Sequence, residues 1–162
     1  MPQRRRRARE IALQLIYELD LRLDLAPEEA LGAYPFDAEP ADVAEYAKFL
    51  VRAASGRSGE VDEMLREHIV GWRTERMVAV DRAAIRMAIC EGILERAVPV
   101  AIAISEAVEL TKMFGTVESS KFVNGVLGRI VRSSEAESGE KPEEAEAGEE
   151  TPWEAPPETP DE

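Results

Sequence analysis

The stretch KFVNGVLG, residues 121–128, decides between an all-helical fold and one that contains a β-hairpin. Asn124-Gly125 between apolar residues is the strongest short-range signal for a two-residue hairpin turn. The preceding residues, VESSK, are too polar for a buried strand, and the apolar residues that follow recur at helical spacing. These are Phe122, Val123, Val126, Leu127, Ile130 and Val131. We therefore predict a helix over about residues 118–132.

This predicted helix contains two glycines, Gly125 and Gly128, each of which costs roughly 1 kcal/mol of helix stability relative to alanine. Because they are three residues apart, they share one face of the helix. We expect that face to let another helix approach closely. The close packing would seat Lys121 and Phe122 beside the N-terminal segment.

Apolar periodicity predicts helices along most of the remaining chain. The stretch VPVAIAIS, residues 98–105, alternates like a short strand but runs without a turn into a helical pattern. We therefore predict a helix over about residues 100–114, with Phe114 as the last apolar residue of the pattern and Gly115 as the C-cap. No strand has a convincing partner, so the predicted fold is all-α. The other predicted helices cover residues 3–24, 27–32, 41–55, one from a capping Ser58 to Gly71, and a central buried helix 82–95 capped by Asp81.

Charge divides the chain into a basic head, a balanced body and an acidic tail. Five arginines, Arg4, Arg5, Arg6, Arg7 and Arg9, precede the first acid, and we call them the arginine arm. Residues 135–162 hold one lysine against 12 acids, and with five prolines they predict disorder. We therefore predict a helical domain over residues 1–133 and a disordered tail over 134–162. The tail is interpreted as a solvating spacer, with an interaction or autoinhibitory role as the alternative.

Nothing in the sequence indicates an enzyme, a metal site or a cofactor site. His68 is the only histidine and has no Cys or His nearby, whereas a metal site needs several such ligands. Cys90 lies in the most apolar helix and is predicted to pack in the core. No Gly-rich phosphate loop, signal peptide or membrane span is found, so a cytoplasmic protein without cofactors is expected.

The arginine arm has no good explanation in folding alone, because adjacent cations repel one another and oppose the helix macrodipole. Guanidinium groups match phosphates, and arginine-rich segments that bind RNA are a recognised class. Tyr17, Lys121 and Phe122 are candidates for base stacking and a phosphate contact if they share a surface with the arm. An ordinary core position is the alternative for Tyr17 and Phe122, and a merely solubilising terminus is the alternative for the arm.

Three stretches resemble the NusB family of bacterial transcription antitermination factors: RRRARE with ALQLIYE at the start, VDRAAIRMAICE in the middle, and AVPVAIAISEAVELTKMFGTVESSKFVNGVLGRI near the end. The resemblance covers residues 4–132. It implies about seven helices in two small subdomains around a long central helix, without enzymatic activity. It also implies binding of single-stranded boxA RNA from ribosomal RNA leaders, together with NusE, a ribosomal small-subunit protein, in an antitermination complex with RNA polymerase.

The resemblance also implies which residues lie at each surface. Tyr17, Glu75 and Asp81 are expected at the NusE surface, and Glu118 is expected to moderate RNA affinity by repulsion. The RNA surface is expected to include Arg5, Arg6, Arg7, Arg9, Gln14, Tyr17, Lys121 and Phe122.

The chain departs from the family at Cys90-Glu91-Gly92, where the family usually has aromatic-Glu-Leu. We expect looser packing there.

Two alternatives to an RNA-binding adaptor remain. One is a homodimeric helical protein with a resting or structural role, and the other, less favoured, is a fragment of an RNA-modifying enzyme. The latter would need a long catalytic domain with a glycine loop.

Overall fold

A computed structural model describes residues 2–73 and 76–138, and these ranges are helical without a strand. The all-α prediction is confirmed, and KFVNGVLG lies inside a helix. None of these helices combines the length and the apolar character that a membrane crossing requires. The seven α-helices of the described ranges are α1 (Pro2–Leu21), α2 (Pro27–Ala33), α3 (Ala41–Gly56), α4 (Ser58–His68), α5 (Ala79–Ile89), α6 (Val100–Phe114) and α7 (Val117–Ser138).

Several helix ends differ from the predicted ones. Ser58 is the first residue of α4 rather than its cap, and the cap position is Arg57. Asp81 is not a cap either, because α5 begins at Ala79 with Val78 at the cap position, which places Asp81 in the first turn. α7 continues to Ser138, so the predicted border between residues 133 and 134 falls within a helix. Residues 139–162 lie outside the described residues.

α5 occupies the centre of the fold, where it packs against α1 and α3 on one side and α6 and α7 on the other. Its residues from Ala83 to Ile89, apart from Arg86, are fully or almost fully buried. The two small groups of helices around a central helix are therefore as predicted. The central helix is not the longest, because α5 has 11 residues whereas α7 has 22.

The chain leaves α5 through a π-helical turn, Cys90–Leu94, in which the Glu95 N–H donates to the Cys90 carbonyl at 2.8 Å. A Cβ added to Gly92 would lie 2.8 Å from Cβ of Ala103 on α6, closer than real Cβ contacts. Gly92 therefore allows α6 to pack directly on this turn. The expectation of looser packing at Cys90-Glu91-Gly92 is wrong.

Gly125 and Gly128 do not have the packing role that their spacing predicted. A Cβ added to Gly125 would meet nothing within 4 Å, and one added to Gly128 would meet only the flexible Arg132 side chain of the same helix. The glycine face of α7 is therefore open, because the buried face is the one that carries Val123, Val126 and Leu127. Close helix approach occurs at Gly92 instead.

Candidate RNA-binding surface

The first two guanidinium groups of the arginine arm point toward α3. Arg4 forms an ion pair with Asp42 at 3.1 Å, and this hydrogen bond lowers the pKa of the Asp42 carboxyl. The Arg5 guanidinium lies over the ring of Tyr46, 3.7 Å from its centroid. Arg4 is 56% exposed in its side chain, so it is held without being removed from solvent.

The next two arginines turn toward other elements. Arg6 donates two hydrogen bonds of 3.1 Å to Glu106 of α6. Arg7 donates at 2.7 Å to Glu39, whose pKa this bond lowers, and at 3.3 Å to Glu10. The side chains of Arg6 and Arg7 remain 47% and 45% exposed. Arg4 to Arg7 thus fan out around the start of α1, each within reach of solvent.

Arg9 differs from the other arginines of the arm because only 3% of its side chain is exposed. Its Nε donates to both carboxylate oxygens of Glu91, at 2.8 and 3.0 Å, and its Nη1 lies 3.7 Å from Glu106. Glu91 is itself 1% exposed. The expectation that Arg9 presents a guanidinium to RNA is therefore not met, because α1 turns this position toward the turn that follows α5 and toward α6.

Tyr46 completes a polar chain from one exposed arginine to another. Its hydroxyl donates to Oε2 of Glu91, and burial together with this bond raises the pKa of Tyr46 to about 12. The contacts run from Arg6 through Glu106, Arg9, Glu91 and Tyr46 to Arg5. Sequence analysis did not include Tyr46, Glu91 or Glu106 in the site. The available signal was a lone acid in the apolar run MAICEGIL, because a buried charge needs a partner.

Gln14 and Tyr17 are exposed on α1, and their spacing from Arg7 places all three along one face. Tyr17 is 38% exposed. The ring is accessible to a ligand, so the core alternative for Tyr17 does not hold.

Lys121 and Glu118 are exposed on α7, whereas Phe122 is half-buried and packs against the core. α6 is the element that connects these residues to the arginine arm, because it packs on α7 and carries Glu106 to Arg6. For Phe122, the structure supports a core contact with a partly accessible ring.

An exposed apolar corner joins α6 to α7 and was not predicted. Phe114, the last apolar residue of the predicted pattern, is 41% exposed, and Met113 and Val117 are 60% and 63% exposed. Gly115 ends α6 immediately after Phe114, so the exposed ring lies at the helix end. The corner directly precedes Glu118 and Lys121 in the sequence.

Asp81 lies in the first turn of α5 and is only 5% exposed. Burial raises the pKa of its carboxyl, and an interaction with Ser119 opposes that effect. Its Oδ1 has no hydrogen-bond partner among the described residues. A buried acceptor without a donor is unfavourable, so Asp81 lowers the stability of the free protein. Glu75, the other predicted acid of the NusE surface, lies outside the described residues.

A second polar cluster, also missed in the sequence, fastens the far end of α1. Asp20 accepts hydrogen bonds from Arg82 and from Arg86, the latter at 2.7 Å, and Arg86 also reaches Asp62 of α4 at 3.3 Å. Burial alone raises the pKa of Asp20, but its bonds to the two arginines outweigh this effect and lower it. The cluster ties α1, α4 and α5 together next to Asp81.

The two residues weighed for enzyme chemistry lie elsewhere. Cys90 is buried, and burial raises the pKa of its thiol to about 12, which fits the predicted packing role. His68 is half-buried in the last turn of α4. In the described ranges, no group of three His, Cys, Asp or Glu residues is arranged to hold a metal ion.

Known proteins similar to this chain share its fold and much of its sequence. The transcription antitermination protein NusB of Symbiobacterium thermophilum is 41% identical over 144 residues, which are 83% of this chain and 94% of that protein. The corresponding protein of Saccharopolyspora erythraea is 44% identical over 128 residues, 78% of this chain and 85% of the relative.

A solved structure of antitermination factors NusB and NusE in complex with double-stranded RNA superposes with a TM-score of 0.71. The similar chain is 29% identical, and the superposition covers 82% of this chain and 99% of that one. The family model described as NusB family matches residues 6–132. This match spans the seven helices apart from the ends of α1 and α7, so the chain belongs to the NusB family.

Proposed function

We propose that this chain is a transcription antitermination factor that binds single-stranded boxA RNA of ribosomal RNA leader transcripts together with NusE. The name and similarity of its relatives support the antitermination role, and the solved complex of NusB, NusE and RNA supports the two partners. On this proposal the protein acts by binding rather than by catalysis, in the cytoplasm, as part of an antitermination complex with RNA polymerase.

The observation that carries the proposal is the exposure of Arg4 to Arg7 at the start of α1. Their guanidinium groups lie on the surface, and three of them are held by carboxylates that RNA phosphates resemble in charge and geometry. Exposed pairs of this kind contribute little to folding. Binding would exchange each carboxylate for a phosphate, so that each guanidinium keeps an anionic partner.

The same helix supports a partner surface next to the RNA. Tyr17 lies nearly three turns beyond Arg7 on the same face of α1. Asp20 binds this end of α1 to α5, and Asp81 of α5 belongs to the proposed NusE surface. We assign Asp81 to this partner surface because the resemblance to the family implies an acid there, and its place beside the Asp20 cluster at the end of α1 supports the assignment. RNA and NusE would then occupy adjoining parts of α1.

The test is titration of a boxA-like single-stranded RNA with the full chain, with and without NusE. We expect NusE to tighten binding, and replacement of Arg6 and Arg7 by alanine to weaken it in both titrations. Arg52→Ala is the matched control, because Arg52 is also an exposed arginine paired with an acid, Glu28, at 2.9 Å. Equal RNA affinity of the double variant and the control would contradict the proposal. Light scattering on the same samples shows whether weak RNA binding instead results from self-association that covers the arginine arm.

A further inference from the structure

The ring of Tyr46 is held in a fixed orientation at the edge of the arginine arm. Its hydroxyl donates to Glu91, and Glu91 is locked by two hydrogen bonds, of 2.8 and 3.0 Å, from Arg9. Both Arg9 and Glu91 are buried, so this anchor does not depend on solvent-exposed contacts. A ring fixed in this way loses little conformational freedom when a ligand stacks on it.

The Arg5 guanidinium stacks on the Tyr46 ring in the free protein. It lies 3.7 Å from the ring centroid, which is a stacking distance for two planar groups, whereas the nearby Phe49 ring is tilted by 42° with its centroid 5.6 Å away. Among the described residues, Arg5 forms no ion pair, in contrast to Arg4, Arg6 and Arg7. Arg5 is thus the arginine of the arm that can move to a phosphate without giving up a carboxylate.

A cleft of about 340 Å³ opens beside the ring between α1 and α3. Two acids, Asp42 and Glu45, stand at this cleft together with Arg4, Arg5, Tyr46 and Phe49. The carboxylates disfavour a phosphate inside the cleft, whereas a neutral planar base fits both the volume and the ring. The phosphates on either side of that base would meet the arginines that line the rim.

We propose that Tyr46 is a stacking platform for one unpaired base of the bound RNA, which takes the place that the Arg5 guanidinium occupies in the free protein. Arg5 moves to a neighbouring phosphate as the base enters, so one step exposes the ring and supplies a phosphate contact. This site rests on the proposed RNA-binding function and adds a base contact to it. Base–aromatic stacking is a general means of holding single strands.

The experiment combines variants of the full chain with RNAs that lack one base at a time. Tyr46→Leu removes the ring, Tyr46→Phe keeps the ring but removes the bond to Glu91, and Phe49→Leu is the control from the same cleft. We expect one nucleotide at which loss of the base weakens binding to the unmodified protein about tenfold to a hundredfold. That penalty should disappear in Tyr46→Leu and persist in the other two variants.

The salt dependence of binding separates stacking from charge. Tyr46→Leu should lower the affinity for intact RNA while leaving the slope of log affinity against log salt unchanged, because no phosphate contact is removed. Equal base-loss penalties in Tyr46→Leu and the unmodified protein would overturn the stacking site and leave the proposed function standing. No salt-dependent binding of intact RNA by the unmodified protein would overturn both.

A second measurement does not depend on how Tyr46→Leu folds. RNA that carries 5-iodouridine at successive positions is bound to the unmodified protein, irradiated and mapped by mass spectrometry. A cross-link to Tyr46 at one position supports the stacking site. Cross-links that form only at other residues overturn it.

Discussion

The Nε of Arg9 donates to both carboxylate oxygens of Glu91 and forms an ion pair inside the helical core, although the two residues are 82 positions apart in the chain. Arg9 belongs by sequence to the arginine arm, yet it anchors that arm rather than extending it to solvent. The pair joins α1 to the turn that follows α5. The geometry of the exposed arginines therefore depends on a buried contact.

Loss of either partner should destabilise the protein strongly. Arg9→Ala leaves Glu91 as an unpaired charge at 1% exposure, and we expect the free energy of unfolding to fall by about 3–5 kcal/mol. Urea denaturation followed by circular dichroism measures this change. Replacing both residues by methionine should cost less than Arg9→Ala alone, because no charge is left unpaired. Arg4→Ala is the exposed control and should change stability little. An equal loss of stability in Arg4→Ala and Arg9→Ala would contradict the role of Arg9 as a buried anchor.

Replacement by alanine should change stability in opposite directions at two glycines, one in the π-helical turn and one in α7. Gly92→Ala brings a Cβ to 2.8 Å from Ala103 and should destabilise the protein by about 1–3 kcal/mol. Gly125→Ala meets nothing within 4 Å and should stabilise it by up to roughly 1 kcal/mol through helix propensity. Thermal unfolding of the two variants side by side checks the prediction. Destabilisation by Gly125→Ala would show that the α7 face is packed after all.

Arg6 and Arg7 should determine the salt dependence of RNA binding. For a single strand, removing one arginine that neutralises a phosphate lowers the slope of log affinity against log salt by about 0.7, so replacing both by alanine should flatten it by about 1.4. Fluorescence anisotropy over a range of salt concentrations measures the slope. Replacing both by lysine should preserve most of the slope but lower the affinity, because lysine lacks the bidentate geometry. A slope that does not change with alanine would exclude these two residues from phosphate binding.

Asp20 should contribute to the acid sensitivity of the fold. Its bonds to Arg82 and Arg86 place its folded-state pKa below the unfolded value of 3.8. The stabilisation is therefore fully present above that unfolded value and is lost as the pH falls from it through the lower folded value. Asp20→Asn should reduce stability at pH 7 and make stability fall less steeply as the pH drops below about 5. If the free energy of unfolding of Asp20→Asn falls with decreasing pH as it does in the unmodified protein, the result would argue against this ion-pair cluster.

Asp81 should show the opposite linkage, because burial raises its folded-state pKa above the unfolded value of 3.8. Its ionised form therefore opposes folding at neutral pH, and this penalty is relieved as the pH falls through the raised value toward the unfolded one. Asp81→Asn should increase stability at pH 7 while weakening the binding of NusE. Differential scanning calorimetry measures the stability of Asp81→Asn, and titration calorimetry measures its affinity for NusE. Lower stability of Asp81→Asn at pH 7 would contradict the prediction.

The sequence supports reliable prediction of most helices because the signals for a helix lie within the helix itself. In α6, the strand-like alternation of VAIAIS is overridden by the longer helical pattern that continues to Phe114. In α7, the polar residues before Phe122 exclude the hairpin that Asn124-Gly125 suggests. The resemblance over residues 4–132 predicted the family, which the relatives and the family model confirm.

The roles of single residues were harder to predict, since each depends on what packs against one face of a helix. Gly125 was assigned a packing role that belongs to Gly92, because spacing alone does not show which face another helix covers. Tyr46 was absent from the predicted site, because nothing within α3 indicates that its ring meets Arg5 of α1.

By itself, the sequence determined an all-helical chain, the approximate extent of its helices and a basic segment at its start. Helix formation and charge are encoded over a few neighbouring residues, so they can be read locally. Only the tertiary structure decided that Arg9 is buried against Glu91 while Arg5 covers Tyr46. These contacts join residues more than 40 positions apart, and the packing of α1 against α3, α5 and α6 creates them.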